Sequence, residues 1–315
     1  MNREERRRAL EATYKSKDTE EWIDIVFTRP LGYMWALFFQ KLNVHPNTVT
    51  LLSLIIGAFS GYCFYHESLG WTLSGILMLV WANLYDSADG QLARMTGKKS
   101  MWGRLLDGLA GDVWFFSIYV FISLRLTHQQ MPFGLGQEWG IWIWILAIVS
   151  GVFFHKEQAG LADYYRNIYL LYLLDSSELG ESGKTAAEKR ATPWREWYCK
   201  IGLFFYERYT VRQERSTPCF QRMRAVLREK YGDEVPVSLR RELCRRMFPL
   251  LKWTNVLSFN IRAIVLFTTL LCGEPWLYFI FELTILNVIY FYMRGHHERI
   301  CREIADSVQD EQQMA

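Results

Sequence analysis

None of the cysteines in this sequence is spaced for metal or redox chemistry. Cys63, Cys199, Cys219, Cys244, Cys272 and Cys301 include no C-x-x-C and no Cys/His ligand pattern. That excludes a structural zinc module and a disulfide-rich secreted domain. Three of the six fall in a basic stretch, so free thiols are expected. The first residues, Met1 to Lys17, lack an apolar core; they do not read as a signal peptide, and an internal span is expected to direct insertion. No internal repeat is visible, which excludes a solenoid or collagen-like array. Long stretches also lack charge. Half of the 315 residues are hydrophobic and 16% aromatic, and the 36 Lys+Arg and 33 Asp+Glu lie almost wholly between apolar blocks. Such segregation rules out disorder and argues against a soluble globular domain.

The apolar blocks predict six bilayer-spanning helices, at about 47–65, 70–86, 107–127, 140–158, 250–272 and 275–293. The connections His66 to Leu69, His128 to Trp139 and Gly273-Glu274 contain no Lys or Arg. Arg125 is the one cation near that side. The other side holds Arg94, Lys98, Lys99, Arg104, the basic region Lys184 to Lys252, and Arg294, Arg299 and Arg302. The positive-inside rule then puts both termini in the cytosol. The expected fold is all-α: a six-helix, multi-pass integral membrane protein with an N-terminal interfacial amphipathic helix and a cytosolic helical insertion. Its parts are a cytosolic N-terminus with the interfacial helix (1–46), spans 1–4 (47–174), the insertion (175–249), and spans 5–6 with a cytosolic C-terminus (250–315).

Two stretches are amphipathic. Thr19 to Leu42 interleaves Trp22, Ile23, Val26, Phe27, Leu31, Met34, Trp35 and Phe38 with charge. The second carries Trp194, Trp197, Tyr198, Ile201, Phe204, Phe205 and Arg208 at helical spacing. Both are expected in the membrane interface; the competing reading is a helix packed on its own protein. The polar run 175–192, with two glycines, reads as a mobile linker.

The segment that carries chemistry joins spans 2 and 3: Asp86-Ser-Ala-Asp89-Gly90-Gln-Leu-Ala93-Arg94, then eight residues to Gly103, then Arg-Leu-Leu-Asp107. Asp86 and Asp89 are i,i+3 neighbours on one helix face. Gly90 and Ala93 extend that face with almost no side chain, which lets a flat ligand approach, and Arg94 adds a cation. Gly103 and Asp107 are i,i+4 on the next helix. Three carboxylates near a membrane surface repel one another, and a hard divalent cation held by oxygens offsets that.

These residues resemble the motif of the CDP-alcohol phosphotransferases, D-x-x-D-G-x-x-A-R, eight residues, G-x-x-x-D-x-x-x-D. Asp86, Asp89, Gly90, Ala93, Arg94, Gly103 and Asp107 match, and the spacer is intact. The run His45-Pro46-Asn47-Thr48-Val49-Thr50 opening span 1 also resembles the family. The likeness covers about residues 19–170, and 250–293 by architecture alone. It implies transfer of a substituted phosphoryl group from a CDP-linked donor to an alcohol, with release of CMP, in phospholipid or related lipid synthesis. It also implies one or two Mg2+ or Mn2+ ions on the aspartates, a nucleotide face made of Asp89, Gly90, Ala93, Arg94 and Gly103, and a homodimer. At least one substrate should be a lipid, and no nucleic-acid partner is expected. The bacterial inner membrane and a eukaryotic endomembrane both fit. Either the CDP carries the small alcohol or it carries the lipid.

The departure is at the last position. The family's final aspartate, general base and metal ligand, falls on Gly111, and Asp112 follows. In a regular helix Asp112 points about 140° from Asp107. One reading is a π-type bulge, eased by Gly108 and Gly111, that brings Asp112 to the active face. Asp112 then joins Asp86, Asp89 and Asp107 as a metal ligand and shares the catalytic role with Asp107. In a second reading another group or a metal-bound water takes the proton. In a third the chain is catalytically impaired, and a non-catalytic nucleotide-binding sensor or scaffold is the alternative function.

Further polar groups punctuate the spans. His155, Gln158, Ala162 and Arg166 share a helix face; they bind the acceptor or a lipid phosphate, or they are a solvated helix end with Asp163 paired to Arg166 or Asn167. Arg262 and Glu282 fall at similar depth, as a buried pair or as a headgroup site with Asn255 and Asn260. His296-His297 reads as solvated.

Overall fold

The computed structural model describes residues 16, 18–98, 101–132, 136–174, 179, 181–232 and 234–314. The charged N-terminal stretch to Lys15, Lys99 and most of 175–180 therefore lie outside the described residues.

Among the described residues the chain is helical, apart from one isolated bridge between Gln130 and Glu138. A π-helical turn, Asp24–Thr28, leads into α1 (Arg29–Lys41), followed by α2 (Pro46–Tyr65), α3 (Leu69–Thr96) and α4 (Met101–Leu126). Next come α5 (Gly140–Ile148), a π segment (Val149–His155) and α6 (Lys156–Leu174) without a break. The insertion forms α7 (Ser182–Ala191), α8 (Trp197–Ser216) and α9 (Pro218–Tyr231). Then follow α10 (Val237–Val256), α11 (Phe259–Leu271), α12 (Trp276–Phe281), a third π segment (Glu282–Leu286) and α13 (Asn287–Met314).

Among the described residues, five stretches are long and apolar enough to cross a membrane: Pro46–Tyr65, Leu106–Leu126, Gly140–Leu174, Val237–Leu271 and Trp276–Glu311. The remaining expected span, 70–86, lies in the 28-residue α3, whose second half carries Asn83, Asp86 and Asp89. Several helices run well past the apolar stretches that predicted them. The run 175–192 is another departure: residues 182–191 form α7. The Ser182 hydroxyl and amide both donate to Glu214, and Lys189 pairs with Glu207. Its charges pair along helix faces, which composition alone reads as solvated linker.

The fold divides into two compact units, one within Met1–Lys156 and Ala263–Leu283, the other within Glu157–Arg262 and Thr284–Ala315. In the first unit the turn between α1 and α2 is set by Asn43 in the left-handed region (φ 51°) and by the His45-Pro46 pair. His45 accepts the Asn47 amide at 3.2 Å, and Pro46 occupies the first helical turn, where its missing N–H costs nothing. Helices α2 and α4 lie against each other through small residues. A β-carbon on Gly57 would enter the Trp114 indole, and one on Gly61 would sit 2.7 Å from the Ser117 backbone. That closeness lets Ser117 donate to the Ala58 carbonyl at 2.6 Å and the Trp114 indole donate to the Ser53 carbonyl at 3.1 Å. At the far end, Arg125 donates to the Phe64 and His66 carbonyls, so this cation caps α2.

In the second unit α9 packs along α13, burying Phe220, Met223 and Leu227. His297 is 1% exposed there, stacked on Tyr165 with centroids 3.8 Å apart and 3.7 Å from the Cys301 sulfur. This corrects the solvated reading of His297: the helix turns it inward while it leaves His296 half-buried.

Candidate active site in the first unit

The site sits where the last turns of α3 meet the first turns of α4. Gly97, at φ 67°, ends α3 in the left-handed conformation that glycine adopts without strain. Helix α1 braces the other side of α3. A β-carbon on Gly32 would lie 2.8 Å from the Ser87 hydroxyl. Gln91 donates to the Arg29 carbonyl at 3.1 Å, and Ala36, Phe39, Val49, Ala88 and Leu92 form a buried core between the helices. Tyr85 is held edge-on between Trp35 and Phe39. The amphipathic N-terminal stretch thus buries one face on the motif helix, while Trp22, Val26, Met34 and Phe38 stay exposed. Arg29 pairs with Glu20 at 2.8 Å and stands close enough to Asp86 for its charge to act there.

Asp86, Asp89 and Asp107 converge, each offering a carboxylate oxygen within 4.8 Å of the others. Asp89 is 4% exposed, Asp86 half-buried and Asp107 open to solvent. At that separation two ionised carboxylates repel by about 3–4 kcal/mol at an effective dielectric near 20. Asp86 Oδ1 and Asp89 Oδ2 are buried without a hydrogen-bond partner. Buried acceptors that find no donor are costly, and an oxygen-loving divalent cation satisfies them and cancels the repulsion. The donor set therefore fits Mg2+ or Mn2+. Thr50, from the run that opens α2, lies beside Asp89, and its hydroxyl donates to the Pro46 carbonyl at 3.3 Å. The Arg94 guanidinium folds back over Gly90, 3.5 Å from where a β-carbon would be. Ala93 and Gly103 are half-buried on the same two helices.

Asp112 is not brought into this cluster. Helix α4 is α-helical from Met101 to Leu126, so the expected bulge is absent, and Asp112 Oδ2 lies 3.0 Å from Lys156 Nζ. Regular geometry gives the carboxylate a cation, and nothing forces the helix to deform. A β-carbon on Gly111 would meet open space. Beyond the N-terminal π turn, π segments occur at Val149–His155 and Glu282–Leu286 instead. They hold a buried hub that the sequence showed only in parts. Glu282 accepts from Ser150 at 2.5 Å and from Tyr278 at 2.7 Å, lies 2.9 Å from His155 Nδ1, and accepts from the Tyr119 hydroxyl. Tyr119 and Ser150 were the available signals, as polar atoms inside otherwise apolar runs.

In the second unit the polar groups singled out from sequence also have partners. Arg262 donates to Gln158 at 2.7 Å and to the Leu257 carbonyl; Gln158 donates to Asn287 at 2.6 Å. Arg166 donates to Asn255 at 2.8 Å, and Asn167 donates to Asp163 at 3.1 Å.

Residues 43–159 match the family model described as CDP-alcohol phosphatidyltransferase. This segment belongs to that family. The matched segment holds all seven motif residues, Asp112 and His155; the insertion and the last two apolar stretches lie outside it. Over 124 residues, 39% of this chain and 59% of the relative, the sequence is 32% identical to an uncharacterized protein of Aquifex aeolicus. Over 67 residues it is 41% identical to the archaetidylinositol phosphate synthase of Pyrococcus horikoshii, covering 21% of this chain and 34% of that protein. The chain thus spans 59% and 34% of these curated relatives. No solved structure matches it significantly. The CDP-alcohol phosphatidyltransferase segment coincides with the helices that build the aspartate cluster.

Proposed function

We propose that the protein is a multi-pass membrane enzyme that transfers a substituted phosphoryl group from a CDP-linked donor to an alcohol and releases CMP, in lipid synthesis. The observation that carries the reading is the convergence of Asp86, Asp89 and Asp107 with two orphaned buried oxygens among them. Asp86, Asp89 and Asp107 would hold the divalent ion. When bound, the ion neutralises the donor diphosphate and polarises the phosphoryl oxygen. Gly90 and Ala93 leave a flat approach beside Asp89 for the nucleotide, and Arg94 and Gly103 border it. Asp107, the exposed acid of the three, takes the proton from the acceptor hydroxyl. Asp112, held by Lys156, is the second candidate for that role. Phosphoryl transfer asks little more of the protein than placement and electrostatics. The name of the P. horikoshii relative favours a CDP-linked lipid as donor and a phosphorylated water-soluble alcohol as acceptor. Six spans, with both termini on the Lys/Arg-rich cytosolic side, complete the reading.

The test is release of CMP by the purified chain with Mn2+ and a CDP-linked donor, run beside Gly111→Asp and Asp112→Ala. Activity that needs metal and donor and survives Asp112→Ala leaves Asp107 as the base, and a rise in Gly111→Asp marks 111 as the place a further base would act. Activity lost in Asp112→Ala with metal affinity intact moves that role to Asp112. No CMP with either donor class, despite Mn2+ binding, overturns the enzyme reading.

A further inference from the structure

The insertion lies outside the family match, and its helix α8 presents a face that a water-soluble segment does not leave bare. Cys199, Leu203, Thr210 and Gln213 turn inward, while Trp197 (59% exposed), Phe205 (60%), Ile201 and Phe204 point outward, and Trp194 just before the helix is 80% exposed. These side chains line one side of the first two and a half turns. The same side then continues as Arg208, Arg212 and Arg215, all exposed.

Cations lie among the rings. Lys200 stands 4.3 Å over the Trp194 ring, and Lys189 and Arg208 stand 5.5 and 5.3 Å from the Phe204 ring. Rings that bury their bodies in acyl chains, with long cations reaching back to phosphates, are the composition of an interfacial helix on an anionic bilayer.

The anchorage of α8 sets its level. Gln213 donates to the Gly160 carbonyl at 2.9 Å, Tyr209 packs on Gly160, and Arg212 pairs with Glu157 at 3.1 Å. Arg294 donates to the Ser216 carbonyl at 2.9 Å. The end of α8 is therefore clamped to residues 157–160 and 294, where the apolar stretches 140–158 and 275–293 give way to charge. A 20-residue helix fixed there reaches about 30 Å from headgroup level.

We propose that the outward face of α8, from Trp197 to Phe205, docks on an anionic lipid surface and holds the insertion against the membrane. The occupant is the bilayer, and a second copy of the chain is the competitor.

The full-length protein is placed in nanodiscs of phosphatidylcholine, alone or mixed with phosphatidylglycerol. A nitroxide is introduced through an unnatural amino acid at Phe205, with a reference at the exposed Glu229 on α9. Collision with oxygen, which concentrates in lipid, is compared with collision with a water-soluble nickel chelate. At position 205 oxygen should exceed nickel several-fold in the anionic discs and clearly less in phosphatidylcholine alone, whereas at 229 nickel should win in both. Lys200→Glu with Arg208→Glu should abolish the dependence on lipid charge. The proposal is overturned if nickel dominates at 205 in both lipids, or if the depth is the same in both. It is also overturned if both reagents are excluded and dipolar broadening, relieved by dilution with unlabelled chain, shows a second copy on the face.

Discussion

The three carboxylates set a conflict that shows in two measurements of opposite sign. Removing one charge relieves the repulsion among Asp86, Asp89 and Asp107. Asp86→Asn should therefore stabilise the metal-free protein, by about 1 kcal/mol in a thermal scan in detergent. The same change removes a ligand. Stabilisation by added Mn2+, which follows the logarithm of ligand over dissociation constant, should shrink or vanish. CMP release should fall by of order a hundredfold. A variant that loses stability without metal would show that these carboxylates are held by protein donors and do not await a cation. Asp112 illustrates the opposite case. One residue out of register, it is drawn to Lys156 from another helix, and its chemistry follows that partner more than its nearness in sequence to Asp107.

Among the helices, the weak point is the seam between α2 and α4. Both are apolar, so in a bilayer little hydrophobic drive holds them together. Contact depends on small residues that let backbones approach. Gly61→Val places two methyl groups where the Ser117 and Ile118 backbone already lies. The helices must then separate, and the Ser117–Ala58 and Trp114–Ser53 hydrogen bonds open. A cost of about 1–3 kcal/mol is expected, read as a lower melting temperature. Because α4 also carries Asp107, metal affinity should fall with it. Gly111→Ala makes the matching control. Its β-carbon meets open space on the same helix, and replacing an interior glycine favours the helix by up to about 1 kcal/mol. Gly111→Ala should be neutral or stabilising.

Across the whole chain, the parity of crossings is the property to measure. Among the described residues five stretches are long and apolar enough to cross, and α3 supplies the sixth proposed crossing although its second half is acidic. Six crossings put both termini on one side, five on opposite sides. Cys272 is exposed in the turn between α11 and α12. In sealed vesicles of a Cys219→Ser/Cys244→Ser background, an impermeant maleimide should modify Cys272 from one side only. Tags on both termini should be reached by protease from the other. Tags on opposite sides would remove α3 from the spans and require a new placement for the aspartates.

The order of residues alone carries the helical membrane class, the sites of most helices, and the motif whose aspartates meet. Apolar length, charge asymmetry and i,i+3 or i,i+4 spacing are local properties, and each can be read within one or two turns. Partner choice across helices was beyond it. Lys156 on Asp112, the donors gathered on Glu282, the regular helix at Gly111, the inward His297 and the folded α7 all depend on residues that are distant in the chain. A buried polar atom takes whichever partner the packing delivers, because leaving it unpaired costs more than any local preference supplies. Which partner that is follows from how the helices pack.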